Sequence, residues 1–381
     1  MRTLQRIDVY AIRLPIIRTF QFSSGNAGSA GETAPLVLVR MTDSAGEVGW
    51  GEGRPLPQWS YETIESCVST IRQYFAPALL GLEITDRWGL HQRMFEVIGR
   101  GPSTGFPIAR AALDMALHDL CARAAGQTLR GYLGGSNTRQ KVELSYTLTA
   151  HTEDELRCQV EQAQQKGFRH FNFKVAVVPE HDVMLARVIR QLAGPEAFVW
   201  ADANQGYRAH EALSAARGLA DAGVNVLEQP FPADQLHLLR RLRQQSPLAL
   251  AVDEGSVSPA DFFHYASEGL VDYLIVKVTR SGGLWPSLQQ IAVAQAAGLS
   301  LLVSGLTDGL LTKLAACQLA LAFGHGGPAA LNGSQFLDES ALYPDKAQIE
   351  YEGAVHLNEQ SGIGIQPALQ RVEQLLAKDI L

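Results

Sequence analysis

The chain has 381 residues, 46% of them apolar and 19% charged, a composition that excludes disorder and a length that predicts a large domain with a smaller companion. Its net charge of -7 is spread over mixed signs, which argues against nucleic acid and an anionic membrane surface as partners. Met1-Arg2-Thr3-Leu4-Gln5-Arg6 is not followed by an uninterrupted apolar run, so a cytoplasmic protein with no membrane span is expected.

Residues 6–40 begin as a strand, with Tyr10, Ile12 and Leu14 on one face, and pass through a Ser/Gly-rich stretch from Ser23 to Gly31. A mobile loop is expected near 18–34. A second strand carrying Val37, Val39 and Met41 reaches the turn Asp43-Ser44-Ala45-Gly46, and a third ends at Trp50-Gly51-Glu52. Helical periodicity follows over 61–75 and 108–125, where Ala109, Leu113, Ala116, Leu117 and Leu120 recur at three- and four-residue spacing. Residues 1–135 therefore read as an α+β domain that either stands alone or caps another.

After Lys141 short apolar strands alternate with amphipathic helices, at 142–148, 171–175, 198–202, 224–228, 248–253, 273–277, 299–303 and 329–331. The fold class expected over 136–335 is α/β, a TIM-type (β/α) barrel rather than an open doubly wound sheet. Beyond it, a strand-like piece at 354–357 and a helix at 367–377 predict that 336–381 returns to complete the N-terminal capping domain. Cys67, Cys121, Cys158 and Cys317 form no CxxC pair, and the histidines form no HExxH, so zinc and redox motifs are absent from the sequence. Gly362-Ile363-Gly364-Ile365-Gln366-Pro367 is read as a turn rather than a dinucleotide loop, because a proline follows and no acidic ribose partner remains downstream.

Barrel active sites lie at the carboxyl ends of the strands. Asp202, Glu228 and Asp253 each terminate an apolar strand, and their spacing of roughly twenty-five residues matches one strand, helix and loop, which sets them side by side. Three adjacent carboxylates repel one another unless a cation sits among them; a hard divalent ion, Mg2+ with Mn2+ as the alternative, answers that need. Each acid taken singly could instead be a helix cap or a loop residue. Lys174 and Lys277 end strands two and six, on opposite sides of the barrel, so they face each other across the acids. A lysine in such a mouth loses solvation and feels the cation, both of which favour its neutral, basic form. Either lysine alone could be only a salt-bridge partner.

The combined set suits proton abstraction next to a carboxylate, with the cation stabilising the enediolate. The second lysine could return a proton to the other face, stabilise charge as a silent cation or protonate a leaving group. Asp308 after strand seven and Asn332 at strand eight could each hold a polar group of the substrate or cap a helix.

These residues resemble the enolase superfamily and, within it, the muconate lactonizing enzyme subgroup (the mandelate racemase/muconate lactonizing enzyme family). The resemblance is carried by Asp202-Ala203-Asn204-Gln205-Gly206, Leu227-Glu228-Gln229-Pro230, Val252-Asp253-Glu254 and Lys277-Val278-Thr279-Arg280-Ser281-Gly282-Gly283 in the barrel. Trp50-Gly51-Glu52 and the 111–120 helix carry it in the capping domain. It implies that Asp202, Glu228 and Asp253 are metal ligands, that Lys174 and Lys277 are the acid/base pair, and that the loop from Ser23 to Gly31 closes over the site. Asn204 and Glu254, inside the matching motifs, join Asn172, Asp308 and Asn332 as candidates for contact with the substrate or its surroundings.

One departure stands out. Similar proteins carry Lys-x-Lys at the end of strand two, whereas this chain has Asn172-Phe173-Lys174. Nor does strand eight carry the Asp-x-Asp of similar dipeptide epimerases, which argues against a dipeptide substrate; Leu331-Asn332-Gly333 stands there. The expected function is a racemase or epimerase of an amino-acid derivative, acting on a small-molecule carboxylate, in a homo-oligomer. A lyase or cycloisomerase sharing the enediolate is the alternative within the fold, and a non-catalytic metal-binding scaffold the alternative outside it.

Overall fold

The computed structural model describes residues 1–22, 25–101, 104–135 and 138–380. Residues 23–24 of the expected loop and the expected domain junction at Ser136 lie outside the described residues.

The N-terminal part is an antiparallel sheet in the order β1 (Leu4–Pro15), β4 (Thr33–Asp43), β5 (Val48–Gly53). Between β1 and β4 a small hairpin pairs β2 (Phe20–Phe22) with β3 (Gly25–Gly28). Helix α1 (Pro107–Ala124) lies directly on β5, and the contact depends on missing side chains: a Cβ on Gly51 would stand 2.0 Å from the Ala112 carbonyl oxygen. The Gly-Trp-Gly-Glu-Gly alternation thus brings the helix close on one face while Trp50 and Glu52 point to the other. The expected helix over 61–75 divides into Ile64–Thr70 and a wider turn at Ile71–Phe75.

The barrel sheet is parallel, in the order β7 (Ser145–Leu148), β8 (His170–Lys174), β9 (Val199–Asp202), β10 (Val226–Glu228), β11 (Ala249–Val252), β12 (Tyr273–Val276), β13 (Ser300–Val303). The expected first strand over 142–148 splits at Leu144. Its first half, β6 (Lys141–Glu143), pairs antiparallel with β15 (Ala354–His356), which in turn pairs with β14 (Glu350–Tyr351). The expected eighth strand at 329–331 is reduced to Ala329 and Ala330, which bridge Leu144 and Ser304 and so close the barrel. Pro328 before them lacks an N–H and Gly333 after them opens a short helix, so the pairing has no room to extend. Inside, Trp200, Val226, Ala251, Ile275, Leu302 and Ala330 pack against one another.

Two sets of contacts lock the parts together. Asp114 on α1 accepts the Leu284 and Trp285 N–H groups at the start of α2 (Leu284–Ala296), with His91 Nε2 2.7 Å from its other oxygen. The C-terminal segment runs back along β1, where the Ala377 N–H donates to the Ala11 carbonyl at 2.8 Å. The expected final helix over 367–377 is only Leu369–Gln374. Among the described residues no helix is long and apolar enough to cross a membrane.

Candidate active site

The parallel register sets Lys174 level with Asp202, and Asp202 level with Glu228. Asp253 is the first residue past β11 and Lys277 the first past β12, so all five side chains gather at the carboxyl end of the barrel. Lys174 Nζ donates to Asp202 Oδ2 at 2.6 Å, and Lys277 Nζ to Asp253 Oδ2 at 2.5 Å. Above them Trp59 reaches down from the capping domain, its ring centre 4.7 Å from Lys277 Nζ and 5.7 Å from Lys174 Nζ. The hairpin contributes Phe20, 5.5 Å from Lys174 Nζ.

The loops holding these residues are strained where they turn away from the strands. Asn204, Gln205 and Gln229 take left-handed backbone conformations without being glycine (φ 40°, 69° and 39°), a cost of order 1–3 kcal/mol each that persists where surrounding contacts enforce it. Gln229 shows how: its Oε1 accepts the N–H groups of Asp253 and Gly255 at 3.0 and 3.1 Å, which fixes the acid loop after β11. Asp202 Oδ1 accepts the Asn204 N–H at 2.9 Å.

The electrostatics are those of a crowded acidic mouth. Burial, and then the charge of Asp202, push Glu228 up to about 8. Glu254 is raised for the same two reasons. Arg280, buried and ion-paired with Asp253, is lowered to about 10 by loss of solvent. Asp202 is engaged by Lys174, and Asp253 by Lys277 and Arg280, and among the described residues no three acid, His or Cys groups form a ready ligand set. Glu228 Oε1 is nevertheless buried with no hydrogen-bond partner. An orphaned carboxylate oxygen between two further carboxylates fits a hard, oxygen-preferring divalent cation.

The other candidates divide. Asn172 and Asn332 line the same small cavity as Lys174, Asp202, Glu228 and Lys277. Asn204 and Glu254 sit behind the acids, bonded to each other at 3.0 Å, with the Trp59 indole N–H 3.4 Å from the same Glu254 oxygen. Asp308 neither lines the cavity nor caps a helix. Its oxygens accept the Leu306 N–H at 2.8 Å and the Thr279 hydroxyl at 3.1 Å, while the first N–H of α3 (Leu310–Phe323) goes to Glu339. Sequence reasoning missed Trp59, Phe20 and Trp200, aromatic residues indistinguishable from core without the fold. It also gave no role to Arg280, although the Lys-x-x-Arg spacing puts it one helical turn beyond Lys277.

Residues 155–371 match the family model described as enolase C-terminal domain-like, and residues 14–134 that of the mandelate racemase/muconate lactonizing enzyme N-terminal domain. The chain is 29% identical to muconate cycloisomerase 1 of Rhodococcus opacus, over 96% of both chains. It is 25% identical to an N-succinyl-L-Arg/Lys racemase of Bacillus cereus, over 94% of both. In structure it is similar to a dipeptide epimerase of Cytophaga hutchinsonii complexed with Mg and D-Ala-L-Val, with a TM-score of 0.87, 22% identity and 98% of each chain covered.

Proposed function

Because the chain belongs to the mandelate racemase/muconate lactonizing enzyme family of the enolase superfamily, we propose that it is an isomerase that abstracts the α-proton of a small carboxylate, most specifically a racemase or epimerase of an amino-acid derivative. The observation that carries this reading is the pair Lys174 and Lys277, on β8 and just past β12, both beneath the Trp59 ring with the acids on the arc between them.

Asp202, Glu228 and Asp253 would hold a divalent cation, Mg2+ or Mn2+, which when bound supplies Lewis-acid stabilisation of charge on a carboxylate. The remaining work belongs to the chain. Lys174 holds or takes a proton on one face of the α-carbon, and Lys277 on the other. Asp202 and Asp253 orient the two ammonium groups through the 2.6 and 2.5 Å contacts. Trp59 and Phe20 cover the mouth and exclude water, which strengthens every charge interaction inside.

A cycloisomerase is the second reading, supported by the likeness to muconate cycloisomerase 1 along nearly the whole chain; there one lysine works and the other serves as a fixed cation. Proton NMR of carboxylic-acid panels in heavy water with Mg2+ separates the two. Deuterium entering the α-position of both stereoisomers supports the racemase, whereas net cyclisation with exchange governed by one lysine supports the cycloisomerase.

A further inference from the structure

We propose that Arg54 is a positioning residue: its guanidinium ties the β2–β3 hairpin and the loop after β13 to the capping sheet, so that the roof and one wall of the site are held as a unit. The tie is a matter of geometry, whereas its kinetic role rests on the reaction proposed above.

Arg54 is the first residue past β5 and is only 1% exposed. Its Nη1 donates to the carbonyls of Leu306 and Thr307 at 2.9 and 3.0 Å, and its Nη2 to the carbonyl of Ala27 at 2.8 Å. Segments far apart in sequence thus meet on one planar fork, a geometry that a guanidinium allows and a single ammonium does not. Among the described residues its hydrogen bonds go to main-chain carbonyls rather than to a carboxylate, a costly use of a buried charge unless the position of those carbonyls matters. Burial lowers Arg54 to about 10, offset in part by the charges of Asp308 and Glu52, so it stays a cation at neutral pH.

Both tied parts border the lysines. The hairpin holds Phe20 over Lys174, and Phe20 and Ala27 pack with Leu56, Phe336 and Trp59. The Asn26 N–H donates to Gln58 Oε1 at 3.1 Å, so the hairpin rests on the 54–59 segment that also carries Trp59. On the other side Ser304 and Gly305 line the cavity. Thr307, just beyond them, is left-handed (φ 60°), a conformation that a β-branched residue keeps only where surrounding contacts enforce it. The bond from Arg54 to its carbonyl is such a contact. Asp308 extends the tie to Thr279, two residues past Lys277, through their 3.1 Å hydrogen bond. A substrate that needs the closed roof and wall binds in proportion to the fraction of molecules that have them, whereas turnover of the closed complex does not depend on that fraction.

The test is amide hydrogen exchange on the Mg2+-loaded full chain, comparing the parent with two variants. Arg54→Met keeps the stem and loses every donor; Arg54→Lys keeps the charge, but its one nitrogen can replace Nη1 or Nη2 and not both. In Arg54→Met the amides of 25–32 and 304–309 should lose protection by at least about ten-fold, while those of 36–42 in β4 keep theirs. In Arg54→Lys at least one of the two segments should loosen in the same way, and this variant decides if the first fails to fold. With N-acetyl amino acids as substrates, read by α-deuteration, KM should rise at least about three-fold and kcat should change less than KM. An arginine that only supports the fold would instead lower Tm and the amount of active enzyme and leave KM alone. Protection unchanged in both segments, a loss spread evenly over β4, or an unchanged KM in a folded variant overturns the proposal. Absence of exchange from every N-acetyl amino acid counts against the racemase reading instead, and the protection pattern still decides the tie.

Discussion

Asn172 stands level with Trp200 in the parallel pairing of β8 and β9, directly beneath the Lys174–Asp202 pair. It lines the same cavity as Lys174. In Asn172→Lys a second cation enters beside Lys174 and the acids, and kcat/KM for α-proton exchange should fall at least about ten-fold. Proton NMR in heavy water with Mg2+ present measures the change. An unchanged kcat/KM in a folded variant would mean that position 172 does not face the substrate.

Removing divalent metal should abolish activity and lower Tm, because Asp202, Glu228 and Asp253 then repel one another with only Lys174, Lys277 and Arg280 to offset them. Mg2+ or Mn2+ should restore both. The check is activity and thermal melting after dialysis against EDTA, with elemental analysis; full activity in metal-free protein contradicts the assigned ligands.

Trp59 touches both lysines but is half-buried and belongs to the capping domain. Trp59→Ala should therefore lower kcat/KM by roughly ten-fold or more, as loss of a desolvated cation–π contact of about 2 kcal/mol implies. The unfolding midpoint should move little. A large loss of stability with unchanged turnover would make Trp59 a packing residue only.

Much of this site was legible because each barrel strand is an apolar run closed by one polar residue, so Lys174, Asp202, Glu228, Asp253 and Lys277 could be placed by strand order alone. Helix α1 was legible from its spacing. The eighth strand was not, since only Ala329 and Ala330 pair and two residues carry no periodicity. The role of Trp200 was hidden for a different reason. Its indole packs with Val226 and Ile275 like any core residue, and only the folded cavity, which it lines together with Asn172, Lys174 and Asp202, shows that it borders the site.

A pH dependence of stability should come from Glu52. It is fully buried beside Glu339 and Asp308, and burial followed by those two charges raises it to about 8. Between its ordinary value of 4.5 and about 8 the folded state keeps the proton and the unfolded state does not. Stability contributed by this group is thus present below the ordinary value and declines as pH rises, by at most about 1.4 kcal/mol per pH unit. Urea titrations from pH 5 to 8 (roughly that window) should show a shallower decline in Glu52→Gln than in the parent chain. Parallel curves would show that Glu52 folds ionised.

The two-lysine relay is tested most directly by α-proton exchange in heavy water, measured on both stereoisomers of a substrate with Lys174→Ala and Lys277→Ala. Each lysine reaches one face, so each variant should still exchange one isomer, the opposite one in the two cases, while neither inverts the centre. Each should lose at least about a hundred-fold in turnover, as expected of a general acid/base. Full inversion retained by either single variant would contradict the assignment of Lys174 and Lys277 to opposite faces.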